Sequence, residues 1–371
     1  MSFYTKAVFL IAFLSPALAI AQTNTNGSNQ NALSTAVPFL TISPDSRSGA
    51  MGDAGVALSP DANSNYWNPS KLAFIENETE VSASYSPWLR NLVPDISLSY
   101  LSFAHKLDDR NTIGASLRYF NIGTVDLTDI NGTSIGPFTP SEFSIDGSFA
   151  RKFGENLSLG LTLRYIHSSL GPGGTGDSPS NGEKAGNSVA ADVSGFYKIP
   201  SQQFGKDALL AIGLDISNIG SKMGYTTNGP TYFLPTNLKL GVADTWNLDD
   251  FNQVTLAVDF NKLLVPTQPN SDVSVPAGIF QSFTDAKVSD EFKEIYYSVG
   301  AEYWYNKQFA IRAGYYYENP DKGGRQYLTL GVGVKYNGIG FDFSYLSASQ
   351  QNSPLANTLR FGLSYGFGNS K

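Results

Sequence analysis

The sequence predicts an all-β protein: a 14-stranded antiparallel transmembrane β-barrel with an N-terminal plug segment. Three observations lead to this prediction. Apolar and polar residues alternate strictly in many segments, long and short connections alternate between those segments, and charged residues are scarce. Charged residues make up 15% of the 371 positions and aromatic residues 13%, whereas soluble proteins carry about 25% charge. Few charges combined with many aromatic residues are typical of outer-membrane barrels.

Two-residue alternation identifies the strands. Between 157 and 165, every odd position is Leu or Tyr and every even position is Ser, Gly, Thr or Arg. A period of two gives a strand with one apolar face. The segment 94–107 changes phase between Tyr100 and Leu101, which predicts a β-bulge there. The fourteen predicted strands lie near 78–87, 94–107, 111–122, 141–153, 157–169, 187–199, 207–219, 235–247, 251–264, 292–306, 308–318, 325–337, 339–348 and 356–367.

The connections between these segments sort into two lengths. Short turns are expected at 108–110, 154–156, 248–250, 306–307 and 337–338, and long connections at 123–140, 170–186, 220–234 and 265–291. Outer-membrane barrels have short periplasmic turns and long outer loops. We therefore expect an even number of strands in the bacterial outer membrane, with both chain termini in the periplasm. Aromatic clusters at strand ends, such as 303–305 and 315–317, predict the two girdles of a lipid-facing band.

The first 77 residues are expected to form three segments before the barrel at 78–371. A lysine at position 6, an apolar stretch at 7–18 and Ala19-Ile20-Ala21 predict a signal peptide over 1–21. The alternative is an uncleaved anchor, but the apolar stretch is too short to span a bilayer. Residues 22–36 are rich in Asn, Thr, Ser and Gln, which predicts a disordered leader. Residues 37–77 are expected to form the plug, because the interior of a fourteen-stranded barrel needs a filler.

The alternation also identifies charged residues that face the lumen. Five positive and six negative side chains nearly cancel. Two interpretations are open: a pathway for ions, or a filled interior held by hydrogen-bonded ion pairs, which we favour. The predicted lumen network consists of Arg118, Asp146, Arg164, Asp192, Asp215, Asp259, Glu302, Arg312, Lys335, Asp342 and Arg360.

Motifs for catalysis or cofactor binding are scarce. The chain has no cysteine and two histidines, His105 and His167, without ligand-spaced partners, so no metal site and no cofactor are predicted. The glycine-rich segment 171–176 lacks the following Lys-Ser/Thr of a phosphate loop. A Ser–His–Asp triad in the barrel wall, as in membrane lipases, could use only these two histidines. The net charge of −7 argues against a nucleic-acid partner.

Apolar residues are unusually frequent in the predicted outer loops. Such residues often mark a partner surface. They could equally fold over the barrel mouth or contact lipid headgroups, and the two interpretations stay open. The candidate partner-binding residues are Trp88, Leu89, Leu92, Phe233, Ile279 and Phe280.

The N-terminal block is the most distinctive part of the sequence. Residues 42–57 read ISPDSRSGAMGDAGVA and residues 59–74 read SPDANSNYWNPSKLAF. This block resembles the PorV (LptO) family of the Bacteroidota type IX secretion system, and the resemblance covers the whole chain. The Asn-Pro-Ser step is also similar to the Asn-Pro-Ala step of the wider FadL-like barrels, with Ser in place of Ala. The candidate plug-motif residues are Arg47, Met51, Gly52, Asp53, Asn68 and Pro69.

The resemblance implies a non-enzymatic protein surrounded by outer-membrane lipids. Its members are understood to receive cargo carrying a C-terminal secretion signal from a giant translocon barrel of the Sov/SprA type. They are thought to pass this cargo to the cell-surface attachment complex, whose PorU-type sortase removes the signal. The resemblance does not supply the cargo-binding positions, so the loop residues named above are our own hypothesis.

Two other functions compete with this one. A FadL-like transporter of hydrophobic small molecules would need a continuous apolar path from the loops to an opening in the wall, whereas the predicted lumen is charged. A lipid A O-deacylase would need His105 or His167 within about 3 Å of a serine hydroxyl.

Overall fold

The barrel wall is formed by fourteen antiparallel strands in a computed structural model that describes residues 33–89, 95–128, 131–171, 182, 184–267, 272–348 and 355–369. The strands are β1 (Asn77–Pro87), β2 (Ser97–Lys106), β3 (Asn111–Asn121), β4 (Ser141–Phe153), β5 (Leu157–Ser169), β6 (Gly186–Gln203), β7 (Lys206–Gly220), β8 (Asn237–Asn247), β9 (Asn252–Leu263), β10 (Ile295–Tyr305), β11 (Phe309–Tyr317), β12 (Gln326–Tyr336), β13 (Ile339–Ala348) and β14 (Thr358–Asn369). The predicted signal peptide, Leu92 and most of the glycine-rich segment lie outside the described residues.

The sheet closes on itself because β1 pairs with both β2 and β14. Every other strand pairs with its sequence neighbours, so no barrel strand is left at an edge along its full length. The predicted fold class is therefore confirmed. Within the described residues, no helix is long and apolar enough to cross a membrane.

The two faces of the wall differ in chemistry as the alternation predicts. On β5, the side chain of Leu163 is 66% exposed on the outside, whereas Thr162 and Arg164 are buried inside. The same pattern recurs on the other strands. Apolar side chains therefore face the lipid and polar side chains face the lumen, the arrangement that a bilayer requires of a barrel.

The bulge predicted at Tyr100 and Leu101 is wrong. Strand β2 pairs with β1 and β3 in continuous register. Tyr100 points inward and packs on Tyr66 and Trp67. The apolar residue that disturbed the pattern therefore contacts the filling of the lumen. A register shift occurs instead in β6, near Asp192.

The segment that precedes β1 runs once along the lumen. It contains two short helices, α1 (Ser46–Gly49) and α2 (Ser64–Trp67), and two 3-10 turns, Pro38–Thr41 and Pro69–Phe74. At one end, the backbone N–H of Ala36 donates to the carbonyl of Phe233, in a long loop (2.9 Å). At the other end, the hydroxyl of Ser158, beside a short turn, donates to the carbonyl of Ser70 (2.7 Å).

These contacts locate the two ends of the described chain. The last strand, β14, ends on the short-turn side, and the first described residues lie at the long-loop end. Ala36 is also buried in an apolar cluster with Val37 and Ile166. The leader predicted to reach residue 36 is therefore ordered at its last position, because this position already packs against the plug.

The long loops carry structure of their own. Residues Val125–Thr128 and Ser134–Phe138 form a two-stranded hairpin, and Met223–Gly224 pairs with Thr231–Tyr232. The loop between β9 and β10 contains two helices, α3 (Val275–Gln281) and α4 (Val288–Lys293). In outer-membrane barrels in general, long loops face the cell exterior and short turns face the periplasm, and for this chain that orientation stays a prediction.

Candidate functional site

An ion network centred on Glu302 joins the plug to the wall. Arg47, on α1, donates to both oxygens of Glu302 (2.8 and 3.0 Å) and to Asp61 (3.1 Å). Glu302 also accepts from Arg312 Nε (2.6 Å), and Arg312 donates to Asp342 (2.6 Å). Glu302 and Arg312 are fully buried. Glu302 therefore bridges two guanidinium groups, each of which has a second carboxylate partner, so the buried charges of the plug and the wall are held in one network.

Wall side chains also hold the plug backbone. Asp259 Oδ2 accepts from the N–H groups of Gly55 (2.7 Å) and Val56 (2.9 Å). Thr329 accepts from the N–H of Gly52 (2.8 Å). Asp53 accepts from the hydroxyl of Tyr327 (2.6 Å) and from Arg360 (3.1 Å). The bonds to Asp259 and Thr329 satisfy backbone N–H groups that the lumen would otherwise bury unpaired, and those to Asp53 hold a plug side chain.

Close approach of two backbones explains the glycines where the Met51-Gly52-Asp53 step meets the wall. A Cβ on wall residue Gly314 would overlap the backbone nitrogen of Gly52, and one on Gly300 would lie 2.5 Å from the carbonyl oxygen of Met51. Gly52 and Asp53 both have positive φ (69° and 62°), a conformation that glycine adopts readily. The plug backbone therefore touches the wall backbone directly at this point.

The Asn68-Pro69-Ser70 step fixes the other end of the plug. Asn68 Nδ2 donates to the carbonyls of Val56 and Gly195 (both 3.1 Å), and Asn68 Oδ1 accepts from the N–H of Ser70 (3.2 Å). Pro69 is the first residue of the 3-10 turn that follows. The six predicted plug-motif residues thus lie in the plug, but they form two separate contacts with the wall.

Two buried plug residues were missed by sequence reasoning. Asp45 caps α1 by accepting from the N–H of Ser48 (2.9 Å) and accepts from Trp67 Nε1 (2.7 Å). Burial raises the pKa of Asp45. Lys71 donates to the carbonyl of Gly55 (2.6 Å), and burial lowers its pKa to about 8. Asp before a serine-rich turn is a recognisable N-cap signal, whereas nothing in the sequence marks Lys71 as buried.

A second ion network lies on the opposite arc of the lumen. Arg164 pairs with Asp146 (2.7 Å) and Asp192 (2.9 Å). Arg118 donates to the carbonyl of Leu40 (2.9 Å) and lies 4.4 Å from the ring centre of Tyr66. The cation–π contact and the carbonyl bond replace a carboxylate partner for this buried guanidinium.

The predicted lumen network therefore separates into groups. Asp215 pairs with Lys239 (3.1 Å), a residue that the prediction missed although it alternates in phase with the inward positions of β8. The prediction for Lys335 is wrong: its side chain is exposed at the short-turn end and forms no ion pair within the described residues, because β12 reaches the barrel mouth there.

The lumen contains a polar cavity of about 30 Å³, lined by residues that include Thr41, Tyr66 and Arg325. It has room for only a few water molecules.

The loop between β9 and β10 carries an exposed apolar surface. We call Phe280, Phe283, Val288 and Phe292 the outer apolar surface, and the side chains of Phe280 and Phe292 are 77% and 64% exposed. Polar contacts hold the loop beneath it. Lys262 pairs with Glu294 (2.5 Å) and Glu291 (2.9 Å), and Lys322 pairs with Glu294 (2.8 Å).

The predicted partner-binding residues of the loops differ in how exposed they are. Phe280 is exposed and Ile279 is half-buried beside it. The expectation that Phe233 is accessible is wrong: it is 2% exposed, packed under Gly278 and covered by the ammonium of Lys222, 4.2 Å from its ring centre. Phe233 therefore supports α3 from below.

Trp88 and Leu89 follow β1 and are half-buried. Strands β11 to β14 separate β1 from β10, so these residues lie on a different arc of the mouth from the outer apolar surface. Leu92 lies outside the described residues. The hypothesis did not include Val288 and Phe292, which are exposed in the same loop as Ile279 and Phe280.

The two histidines lie on the outer face of the wall. His105 Nδ1 hydrogen-bonds to Thr79 (2.8 Å) and His167 Nδ1 to Asn187 (2.9 Å). In the described part of the chain, neither ring hydrogen-bonds to a serine. The geometry that a lipid A deacylase would need is therefore not formed by these contacts.

Comparison with known proteins gives one family match and several structural matches. The model of the family described as "Type IX secretion system protein PorV" matches residues 25–270. No curated protein matches the chain. The structure is similar to the CymD monoaromatic hydrocarbon channel, with a TM-score of 0.51 and 13% identity over 88% of this chain and 98% of that one.

Two toluene transporters give similar values. TbuX of Ralstonia pickettii matches with a TM-score of 0.50 and 13% identity over 88% of this chain and 98% of its own. TodX of Pseudomonas putida matches with a TM-score of 0.50 and 13% identity over 88% and 99%. At this identity the similarity concerns the fold, and it agrees with a closed fourteen-stranded barrel.

Proposed function

The chain belongs to the PorV family of type IX secretion system proteins, and on that premise we propose that it handles secreted cargo at the cell surface. It is an outer-membrane component of that system. In our proposal, its extracellular loops bind cargo proteins that carry a C-terminal secretion signal, and its lipid-facing wall docks against the large translocon barrel. The cargo then passes to the attachment complex and its sortase.

The outer apolar surface is the observation that carries this proposal. Phe280 and Phe292 are exposed on two short helices, although a monomer gains nothing by exposing them to water. The buried pair between Lys262 and Glu294 holds the loop in place before any partner arrives. A preorganised surface loses little conformational entropy on binding, which favours affinity. Exposed aromatic side chains on such a support are the usual anchors of protein recognition.

The filled lumen supports a role at the surface of the barrel. Arg47, Glu302 and Arg312 join the plug to the wall through fully buried ion pairs. The polar cavity of about 30 Å³ lined by Thr41, Tyr66 and Arg325, among others, is far smaller than a polypeptide chain. A protein with this interior is suited to receive cargo from a neighbour rather than to conduct it. The same small cavity disfavours a lumenal path for hydrophobic small molecules.

A groove on the lipid-facing wall supports the docking step. A concavity of about 540 Å³ lies over β10 to β13, with Ala301 and Ala313 side by side at its floor. Ile311, Leu330 and Phe343 form its walls. Small residues let membrane-embedded segments approach closely. We propose this groove as the contact with the translocon barrel, with the short turns and the C-terminal strand end in the periplasm.

We infer that the protein acts by binding rather than by catalysis, since the described contacts of His105 and His167 are to Thr79 and Asn187. In the described contacts, neither histidine is a base beside a serine nucleophile. Cargo processing is accordingly assigned to the sortase partner.

A binding experiment with defined variants tests the cargo step. The purified protein in nanodiscs is titrated with an isolated cargo C-terminal signal domain. Phe280→Asp with Phe292→Asp should weaken binding at least tenfold, whereas Phe251→Asp, at an exposed short turn, should leave it unchanged. The Trp88→Asp variant tests separately whether the arc of the mouth next to β1 contributes to cargo binding. Unchanged affinity in the Phe280/Phe292 variant would refute the outer apolar surface as the cargo site.

A pull-down from native outer membranes tests the docking step. Mass spectrometry of the co-purified proteins should identify a much larger barrel. Ala301→Trp with Ala313→Trp fills the groove and should remove that barrel from the eluate. Gly147→Trp, on the lipid-facing side of β4, is the matched control because a Cβ there meets no atom within 4 Å. Equal recovery with all three proteins would move the docking site elsewhere on the wall.

A further inference from the structure

At the short-turn end, the hairpin formed by β6 and β7 extends beyond β5 on one side, whereas on the other side β8 pairs with β7 down to Ala208. Its strands pair with each other down to Gln203 and Lys206, but the last β6 residue that pairs with β5 is Tyr197. On the side that faces β5, one further backbone bond follows, from the N–H of Lys198 to the carbonyl of Asn156 (2.9 Å). Six residues at about 3.3 Å each reach roughly 20 Å further. Along 199–203, the edge that faces β5 therefore has no strand partner among the described residues.

The tip of this hairpin presents an aromatic side chain to solvent. Phe204 and Gly205 form a two-residue turn in which both have positive φ (52° and 71°). Phe204 is 92% exposed, the highest value for a large apolar side chain in the described residues. A bulky residue is disfavoured in the left-handed region. Neither the backbone conformation nor packing therefore accounts for a phenylalanine at this position.

Two other short turns of the same barrel provide the comparison. Asn306 has a φ of 52° in the turn between β10 and β11, and Asn337 has a φ of 49° in the turn between β12 and β13. Asparagine tolerates this conformation and is favoured in such hairpin turns. Phe204 occupies the corresponding position with nearly the same φ. The barrel thus uses the expected residue at two turns and an exposed aromatic residue at the one that protrudes.

Positive charge lies at the base of the same hairpin. Lys198, on β6, and Lys152, on β4, point into the mouth of the barrel, with their ammonium nitrogens 3.9 and 5.2 Å from the ring centre of Phe74. Lys106, on β2, donates to the carbonyl of Glu76 (3.3 Å). Within the described residues, none of the three forms an ion pair with a carboxylate. Lys106 also lies near Glu76, Glu80 and Asp109, whereas Lys198 lies near Lys152 and Glu155. An anionic group is therefore attracted at Lys152 and Lys198, where two positive charges face one carboxylate.

We propose that the protruding hairpin docks a periplasmic protein, which takes Phe204 into an apolar pocket and lays an acidic segment against Lys198 and Lys152. The lysines face the lumen rather than the lipid, so a phospholipid headgroup beside the wall does not reach them. A protein segment at the mouth does. The free edge of 199–203 offers that segment backbone carbonyl groups to pair with, although Pro200 has no N–H to donate. This site lies at the opposite end of the barrel from the cargo surface and does not depend on the cargo proposal.

Photo-crosslinking in intact cells tests the proposal. p-Benzoylphenylalanine replaces Lys206, which is exposed beside the tip, and adducts are identified by mass spectrometry. We expect one discrete adduct with a periplasmic protein that carries an acidic stretch. Phe204→Asn should reduce the adduct at least tenfold, and Lys152→Gln with Lys198→Gln should reduce it independently. Phe251→Asn, at another exposed short turn, is the matched control and should leave the yield unchanged.

Folding is monitored in the same variants. Phe204→Asn gives the turn the residue found at the two matching turns, so its unfolding temperature should equal or exceed that of the parent. Loss of the adduct is then loss of contact rather than loss of the barrel. Cargo-domain binding in nanodiscs should be unaffected by Phe204→Asn, which separates this site from the outer loops.

Three results would overturn the proposal. An adduct with lipid alone would make Phe204 a membrane contact. A protein adduct that survives Phe204→Asn would show that the aromatic ring is not recognised. An adduct insensitive to the two lysine changes would show that the partner is not held by negative charge.

Discussion

Two buried ion networks hold the plug and the loop between β9 and β10 against the barrel. The two segments differ in whether their apolar side chains are buried or exposed. In the plug, Glu302 joins Arg47 to Arg312, and the apolar plug residue Met51 is fully buried nearby. In the loop between β9 and β10, Glu294 joins Lys262 to Lys322. Phe280 and Phe292, carried by that loop, remain exposed.

The difference concerns how each segment uses its apolar side chains. The plug joins the wall through polar groups and buries its apolar residues against inward-facing apolar residues of the wall. The loop is held by its ion pairs and by Phe233 beneath α3, which leaves Phe280 and Phe292 free for a partner. Similar ion pairs therefore fix the plug in the lumen in one region and hold a loop with exposed aromatic side chains in the other.

The largest expected effect separates the two networks. Glu302→Gln leaves Asp61 as the carboxylate partner of Arg47 and Asp342 as that of Arg312, so two buried guanidinium groups lose the carboxylate that they share and we expect a loss of about 2–3 kcal/mol in the free energy of unfolding. Glu294→Gln leaves Lys262 paired with Glu291, and the flexible side chains of Lys262 and Lys322 can turn to water at the barrel rim, so we expect a smaller loss of about 1 kcal/mol. Urea unfolding in detergent measures both values. Equal losses would mean that the two networks serve the same purpose.

The second prediction concerns the glycines that admit the plug. Gly314→Ala places a methyl group on the backbone of Gly52, so the plug must shift, at about 1–3 kcal/mol. Single-channel recording should then show a conductance that the parent lacks. Gly147→Ala is the control, because no atom lies within 4 Å of its Cβ. A closed Gly314→Ala barrel of parental stability would contradict the direct backbone contact.

The fold was predictable because a bilayer imposes simple rules on each strand. Leu163 and Arg164 show opposite burial because their neighbours alternate, and this pattern is local in the sequence. The inward direction of Tyr100 was not predictable in the same way. Its environment is set by Tyr66 and Trp67, which come from a segment without regular periodicity.

The candidate site was predictable only in part, for a related reason. Charged residues on strands were placed correctly when the alternation fixed their side, as for Arg164, and Lys335 failed because a lumen-facing position at the mouth is still in water. Loop residues have no such rule. Phe233 and Phe280 look alike in sequence, yet one lies under α3 and the other on top of the same loop.

A pH titration of stability tests the plug through Lys71. Burial holds its pKa at about 8 in the folded protein, whereas a lysine in the unfolded chain has a pKa of about 10.4. Between these values the unfolded chain binds a proton that the folded chain does not. The free energy of unfolding should therefore rise by about 2 kcal/mol between pH 8 and pH 10 through this group. Lys71→Met should lack this contribution, and parallel curves for the two proteins would show that Lys71 is solvated.

The smallest change in stability is expected where the effect on binding is greatest. Phe280→Ser with Phe292→Ser removes two exposed rings from the loop, so the free energy of unfolding should change by less than about 0.5 kcal/mol. Cargo-domain affinity should fall at least tenfold, about 1.4 kcal/mol.

The Phe233→Ala variant makes the reverse test, because the Phe233 ring fills the space beneath α3. It should destabilise the loop and weaken binding indirectly, with faster proteolysis of 272–294. If Phe233→Ala weakened binding without loosening the loop, the ring would be a direct contact, and the division between supporting and presented aromatic residues would fail.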